Sequence, residues 1–148
     1  MQKFMEIAIK QAQKAEKLNE VPIGAIVVLN GKVLAKAYNK RNSTKIATHH
    51  AEILAIEKAC KKLGDWRLEN AEIYVTLEPC PMCAGAIANA RIKKLVFGAL
   101  DTSGSNSNLL SEILTDTRLN HKVEVVGGVL EAECKKLLTN FFKNKRKN

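Results

Sequence analysis

At 148 residues, 46% hydrophobic and 26% charged, the chain has the size and balance of one globular domain with a core that needs no disulfide support. These figures exclude a wholly disordered chain, a collagen-like repeat and a small disulfide scaffold, and no run of eighteen uncharged apolar residues is present to cross a membrane. Net charge is +9, but the 14 residues from Lys135 to Asn148 hold +6 of it, with no acid among them.

In chain order, Phe4, Ile7, Ala8, Gln11, Ala15 and Leu18 recur near helical spacing and predict an opening amphipathic helix. Charges from Lys3 to Lys17 interrupt that segment, so it does not read as a secretory signal, and the protein is expected in the cytoplasm. Pro22 and Gly24 then punctuate. Ala25–Leu29 reads as a buried strand, Asn30-Gly31 as a tight hairpin turn and Lys32–Tyr38 as the returning strand. A polar loop, Asn39–Ala47, leads to Thr48, read as the N-cap of a helix running to about Lys62. Glu72–Leu77 predicts a third strand, and Pro81 suits the first turn of a helix over Met82–Ala90. Lys94–Ala99 predicts a fourth strand, Leu109–Leu114 a short helix, Lys122–Val126 a fifth strand, and a final helix starts near Leu130. Helix, hairpin, then strands alternating with helices implies a single-domain layered α/β fold on a mixed sheet, the later strands parallel.

The basic end has two readings. A concentrated run of Lys and Arg is an electrostatic footprint for nucleic acid, and it is equally what a solvated helix end carries to complement its dipole. Within that helix, Phe141 and Phe142 read as anchors on the core, with stacking of one against a base as the alternative.

Four cysteines are present: Cys60, Cys80, Cys83 and Cys134. In a reducing compartment they point to metal binding or catalysis rather than to disulfides. Cys80 and Cys83 form a C-x-x-C at a strand-to-helix turn, a place shared by metal sites and thiol redox sites. His50-Ala51-Glu52, opening the preceding helix, favours metal. One imidazole and two thiolates suit zinc, whose catalytic sites use three protein ligands and leave the fourth position to water. Residues two apart on a regular helix do not face the same way, but in a first turn they tilt past the helix end, where both can converge. Cys60, ten residues along from His50 and about 15 Å away on a helix, reads as core, and the more remote Cys134 and His121 read as structural. His49 points about 100° away from His50 and is open to orienting a ligand, touching substrate, or neither.

His50-Ala51-Glu52 with Pro79-Cys80-Pro81-Met82-Cys83 matches the signature of zinc nucleobase deaminases. Val21-Pro22-Ile23-Gly24-Ala25, Tyr38-Asn39, Tyr74 through Cys80, Met82 through Ala86, Val96-Phe97-Gly98-Ala99 and Phe141-Phe142 extend the match, so that nearly the whole chain resembles the bacterial tRNA adenosine deaminase family. The resemblance implies a three-layer α/β/α cytidine-deaminase-like fold with a five-stranded mixed sheet, a homodimer, and hydrolysis of adenosine to inosine at the wobble position of a tRNA anticodon stem-loop. It implies one zinc per subunit on His50, Cys80 and Cys83, Glu52 as general acid and base, and Asn39 and Asp101 as substrate contacts. Lys143, Lys145 and Arg146 are the candidate RNA contacts of the tail. Leu100 stands where many members have a basic residue, the loop Thr102–Asn108 is rich in Ser and Asn, and His49 replaces a small residue. Other readings are a deaminase of a free base such as guanine or cytosine, a thiol redox module on Cys80 and Cys83, and a structural zinc or RNA-binding domain; the last leaves Glu52 without a task.

Overall fold

The structure, a computed structural model, describes residues 1–102, 109–116, 118 and 121–147, without the side chains of 109, 146 and 147. The side chain of the candidate contact Arg146 and the loop residues 103–108 therefore lie outside what is described.

Helix α1 (Gln2–Lys17) buries Met5, Ala8, Gln11, Ala12 and Ala15, one stripe at helical spacing. The small alanines let strand β1 (Gly24–Leu29) come so close that a side chain at Gly24 would run into the Ala8 carbonyl. Leu18, expected on the apolar face, is instead an exposed C-cap. Strand β2 (Lys32–Tyr38) returns through Asn30 and Gly31, both at positive φ, the left-handed pair that a two-residue hairpin turn requires.

A helical turn, α2 (Arg41–Thr44), interrupts the expected loop and is stopped by Lys45 at φ 60°. Helix α3 (Ala51–Leu63) begins later than Thr48 suggests, because His50 is extended (φ −72°, ψ 155°) and is itself the N-cap; Gly64 at φ 76° closes the other end. Strand β3 (Glu72–Leu77), helix α4 (Pro81–Asn89) and strand β4 (Lys94–Ala99) follow within a residue or so of expectation. Helix α5 (Leu109–Thr115) precedes strand β5 (Glu124–Val126), which is shorter than expected because only three of its residues pair with β4 at the sheet edge. Helix α6 (Glu131–Lys147) is the last of the described elements.

The sheet order is β2-β1-β3-β4-β5, antiparallel across β2, β1 and β3 and parallel across β3, β4 and β5. Helices α3 and α4 lie over one face, with Ala25, Val27, Ile73 and Val75 pointing into that core. Helices α1 and α6 lie over the other, above Ile26, Val28, Tyr74 and Val96. Covering on both sides explains why Ala25–Leu29 and Ile73–Val75 read as continuous apolar runs rather than alternating ones. The fold is the three-layer α/β/α arrangement with a five-stranded mixed sheet.

Candidate active site

The start of β1, the end of β2 and the carboxyl ends of β3 and β4 meet at one end of the sheet. Strands β3 and β4 deliver their following loops there, the place where α/β sheets hold ligands. Helices α3 and α4 also start there. Their N-caps are His50 and Cys80, both extended, and Pro81 fixes the first turn behind Cys80.

His50 Nδ1 lies 3.6 Å from Cys80 Sγ and 3.6 Å from Cys83 Sγ, and the three ligand atoms are all within 4.8 Å of one another. Tetrahedral zinc with bonds of about 2.3 Å to sulfur and 2.0–2.1 Å to nitrogen separates N from S by about 3.6 Å. The donor set and its spacing fit the ion. Among the described residues no other group of three His, Cys, Asp or Glu side chains comes this close.

Glu52, in the first turn of α3, is 4% exposed. His50 stands outside the helix, so the divergence expected of residues two apart on a helix does not arise. Burial pushes the Glu52 carboxyl up to about 7, against its own backbone N–H, His50 and the Cys83 thiol. The thiols share protons unevenly. Cys83 donates to Cys80 and holds it down at about 4, with His50 adding to the effect against burial, while Cys83 itself is driven far above the ordinary thiol range. His50 is raised, chiefly by its hydrogen bond with Cys80. A divalent cation takes the place of such protons, and the positive ends of two helices favour the thiolates left behind.

His50 also forms part of the wall of a cavity of about 210 Å³, with Val21, Ile23, Asn39, Arg41, Asn42 and Ala51. Asn39 is 7% exposed and held at both ends of its amide: Nδ2 donates to the Val21 carbonyl (3.3 Å) and Oδ1 accepts from the Arg41 N–H (3.1 Å). Asp101 lies elsewhere, in a neighbouring cavity of about 390 Å³ that shares Val21 and includes Leu77, Leu100, Lys135 and Phe142. The Asp101 backbone N–H donates to Glu78 (3.1 Å), so Glu78 fixes the backbone at Asp101. His49 gives its carbonyl to the Lys40 N–H, while its Nδ1 is buried without a hydrogen-bond partner among the described residues. Cys60 is half-buried against the core, Cys134 is buried on the face of α6 turned to the sheet, and His121 bonds the Ile92 carbonyl (2.7 Å). In the tail, Phe141 is buried, Phe142 is 46% exposed, and Lys143 and Lys145 are exposed.

The sequence reading passes over Arg41, Asn42 and Glu20. Arg41 and Asn42 closely follow Asn39, and that adjacency is the available signal. Glu20 gives none.

A family model described as MafB19-like deaminase matches residues 1–146. The tRNA-specific adenosine deaminase of Bacillus subtilis (strain 168) is 54% identical over 144 residues, covering 97% of this chain and 89% of that protein. The chain belongs to the tRNA-specific adenosine deaminase family. A solved structure from a study of A-to-I editing by tRNA:A34 deaminases at the wobble position of transfer RNA superposes with a TM-score of 0.87 at 41% identity, covering 93% of this chain and 100% of that one. The guanine deaminase from Nitrosomonas europaea shares the fold, with a TM-score of 0.80 at 22% identity over 95% of this chain and 83% of its own. The fold thus serves more than one base, and the tRNA-specific adenosine deaminase family is set apart by identity rather than by architecture.

Proposed function

We propose that this chain, acting as one catalytic domain, hydrolyses adenosine to inosine at the wobble position of a tRNA anticodon stem-loop, with one zinc held by His50, Cys80 and Cys83. The observation that carries the reading is the buried carboxylate of Glu52 beside a three-ligand His–Cys–Cys cluster at the wall of a cavity. A zinc ion bound there supplies the Lewis acidity that brings the pKa of a water to about 7.

The chain's own groups do the rest. Glu52 takes the proton of the attacking water as the water oxygen bonds to C6 of adenine, and delivers it to the adjacent ring nitrogen. Glu52 then carries the second proton to the amine, the C–N bond breaks, and ammonia leaves with inosine as product. A buried carboxyl beside the cluster is placed to take a proton from the water and give it to the base. The cavity of about 210 Å³ lies below the ~300–1,000 Å³ of drug-sized ligand sites and suits one flat base turned out of the strand. Asn39 keeps one lone pair and one N–H for that base after its internal hydrogen bonds are counted. Asp101, in the next cavity, faces the neighbouring sugar or backbone, and Lys143, Lys145 and Arg146 meet RNA phosphates. The 54% identity to a tRNA-specific adenosine deaminase supports RNA as substrate over a free base. The working form is a cytoplasmic homodimer; sedimentation equilibrium giving a single-chain mass would remove the dimer.

The test compares an anticodon stem-loop with free adenosine, adenine, guanine and cytosine, following inosine and ammonia. Inosine at the first anticodon position is expected; conversion of free bases alone overturns the substrate.

A further inference from the structure

We propose that Glu20 is a positioning residue for the substrate cavity, its buried carboxylate fixing the Arg41–Asn42 wall. The inference rests on the reading of that cavity as the nucleoside pocket.

Glu20 is a carboxylate with 0% exposure, and it belongs neither to the metal cluster nor to the proton-transfer chemistry of Glu52. Its backbone is set by the end of α1. Asn19 takes the left-handed conformation (φ 63°), its N–H bonds the Glu16 carbonyl, and the Glu20 N–H bonds the Ala15 carbonyl, both at 3.0 Å. That is a Schellman closure with asparagine in the left-handed place. From there the carboxylate reaches 22 and 23 residues along the chain. One oxygen accepts from the Asn42 N–H (3.1 Å); the other accepts from the Ser43 N–H (2.6 Å) and hydroxyl (2.5 Å).

The consequence is local. Helix α2 has four residues and no side-chain bond from its own N-cap, so it cannot hold itself together. Its first free N–H, on Arg41, goes to Asn39, and the next two go to Glu20. Arg41 and Asn42 line the cavity beside His50, and Asn39 is the proposed base contact. Glu20 thus ties the capped end of α1 to the short turn that forms one side of the pocket. A hydrogen bond to a charged group is worth more than a neutral one, and three converge here.

The experiment uses zinc-loaded full-length protein carrying Glu20→Gln or Glu20→Asp, with the anticodon stem-loop as substrate. In Glu20→Gln the amide NH₂ is set against a backbone N–H, donor facing donor, so one side of the clamp opens. KM is expected to rise about tenfold with kcat within about threefold, as weakening of a preformed binding wall predicts. Glu20→Asp should recover part of that KM, and amide exchange at Asn42 and Ser43 should quicken in step with KM. A lower Tm with unchanged KM and kcat would make Glu20 merely structural and overturn the proposal, as would a fall in kcat alone. If both variants fail to fold, Ser43→Ala removes only the hydroxyl bond, and an unchanged KM there overturns the proposal. Should wild type convert a free base and not RNA, the substrate reading fails, while the Glu20 comparison is made with that base.

Discussion

Glu52 and Glu20 are both buried carboxylates, and their surroundings shift them in opposite directions. Around Glu52 burial dominates and raises the carboxyl to about 7. Glu52→Gln keeps the shape but cannot carry a proton, so zinc content and fold should be retained while turnover falls by at least roughly 10²–10⁴-fold; near-wild-type ammonia release in this variant would remove Glu52 from the mechanism. Around Glu20 burial also pushes up, but the bonds from Ser43 and Asn42, with Arg41 nearby, outweigh it and hold the carboxyl below its ordinary 4.5. A carboxyl lowered by folding contributes stability above its unfolded pKa and loses it as pH falls through the folded value. Wild-type Tm should therefore drop more steeply than that of Glu20→Gln between about pH 5 and pH 3, and parallel calorimetric curves would contradict this. Of the two, only Glu52 is legible in the sequence, because its spacing from His50 and the cysteines is itself a chemical pattern. Glu20 reads as an ordinary surface acid after a helix; its burial depends on a turn, Arg41–Thr44, whose polar residues give no periodic signal.

At the scale of elements, the strongly patterned pieces are readable and the capped boundaries are not. Strands β1, β3 and β4 are apolar runs bounded by Pro, Gly or Asn or by polar loops, and their positions follow from that. The start of α3 is misplaced from sequence because Thr48 has the better capping side chain, whereas the structure puts His50 at the cap and leaves its imidazole for Cys80 and Cys83. In α6, the expectation that both phenylalanines anchor the helix holds for buried Phe141, while Phe142 opens onto the cavity holding Asp101 and Lys135. Cutting the chain after Phe142 should spare zinc binding and fold while weakening stem-loop binding. The slope of log affinity against log salt should become shallower by about 0.7–0.9 for each phosphate that the shortened protein no longer neutralises. Equal affinity and slope in the full-length and truncated proteins would make the tail a solvated helix end.

For the molecule as a whole, the proposed zinc ligands join two helices rooted in different parts of the sheet, His50 at the start of α3 and the two cysteines at the start of α4. Removing zinc with a chelator should lower Tm, and adding zinc back should restore it, with about 2.7 kcal/mol of stabilisation when free metal is 100 times its Kd. An unchanged Tm across the cycle would mean that the cluster does not bind zinc in the folded protein.

The sheet order carries a consequence for time as well as for place. Strands β1 and β2 close through a two-residue turn, but His50 and Cys80 are 30 residues apart, and β1 meets β3 by pairing residues as distant as Ala25 and Val75. Local pairs form early and distant ones late. The hairpin can thus exist well before any pocket for a cation does, and the ligands gather only once β3 has taken its place beside β1. Interactions absent from the folding transition state act on the way out rather than on the way in. Zinc should accordingly leave the rate of folding flat across a metal series and slow the rate of unfolding, so that the metal governs how long a finished molecule lasts and not how quickly one is made.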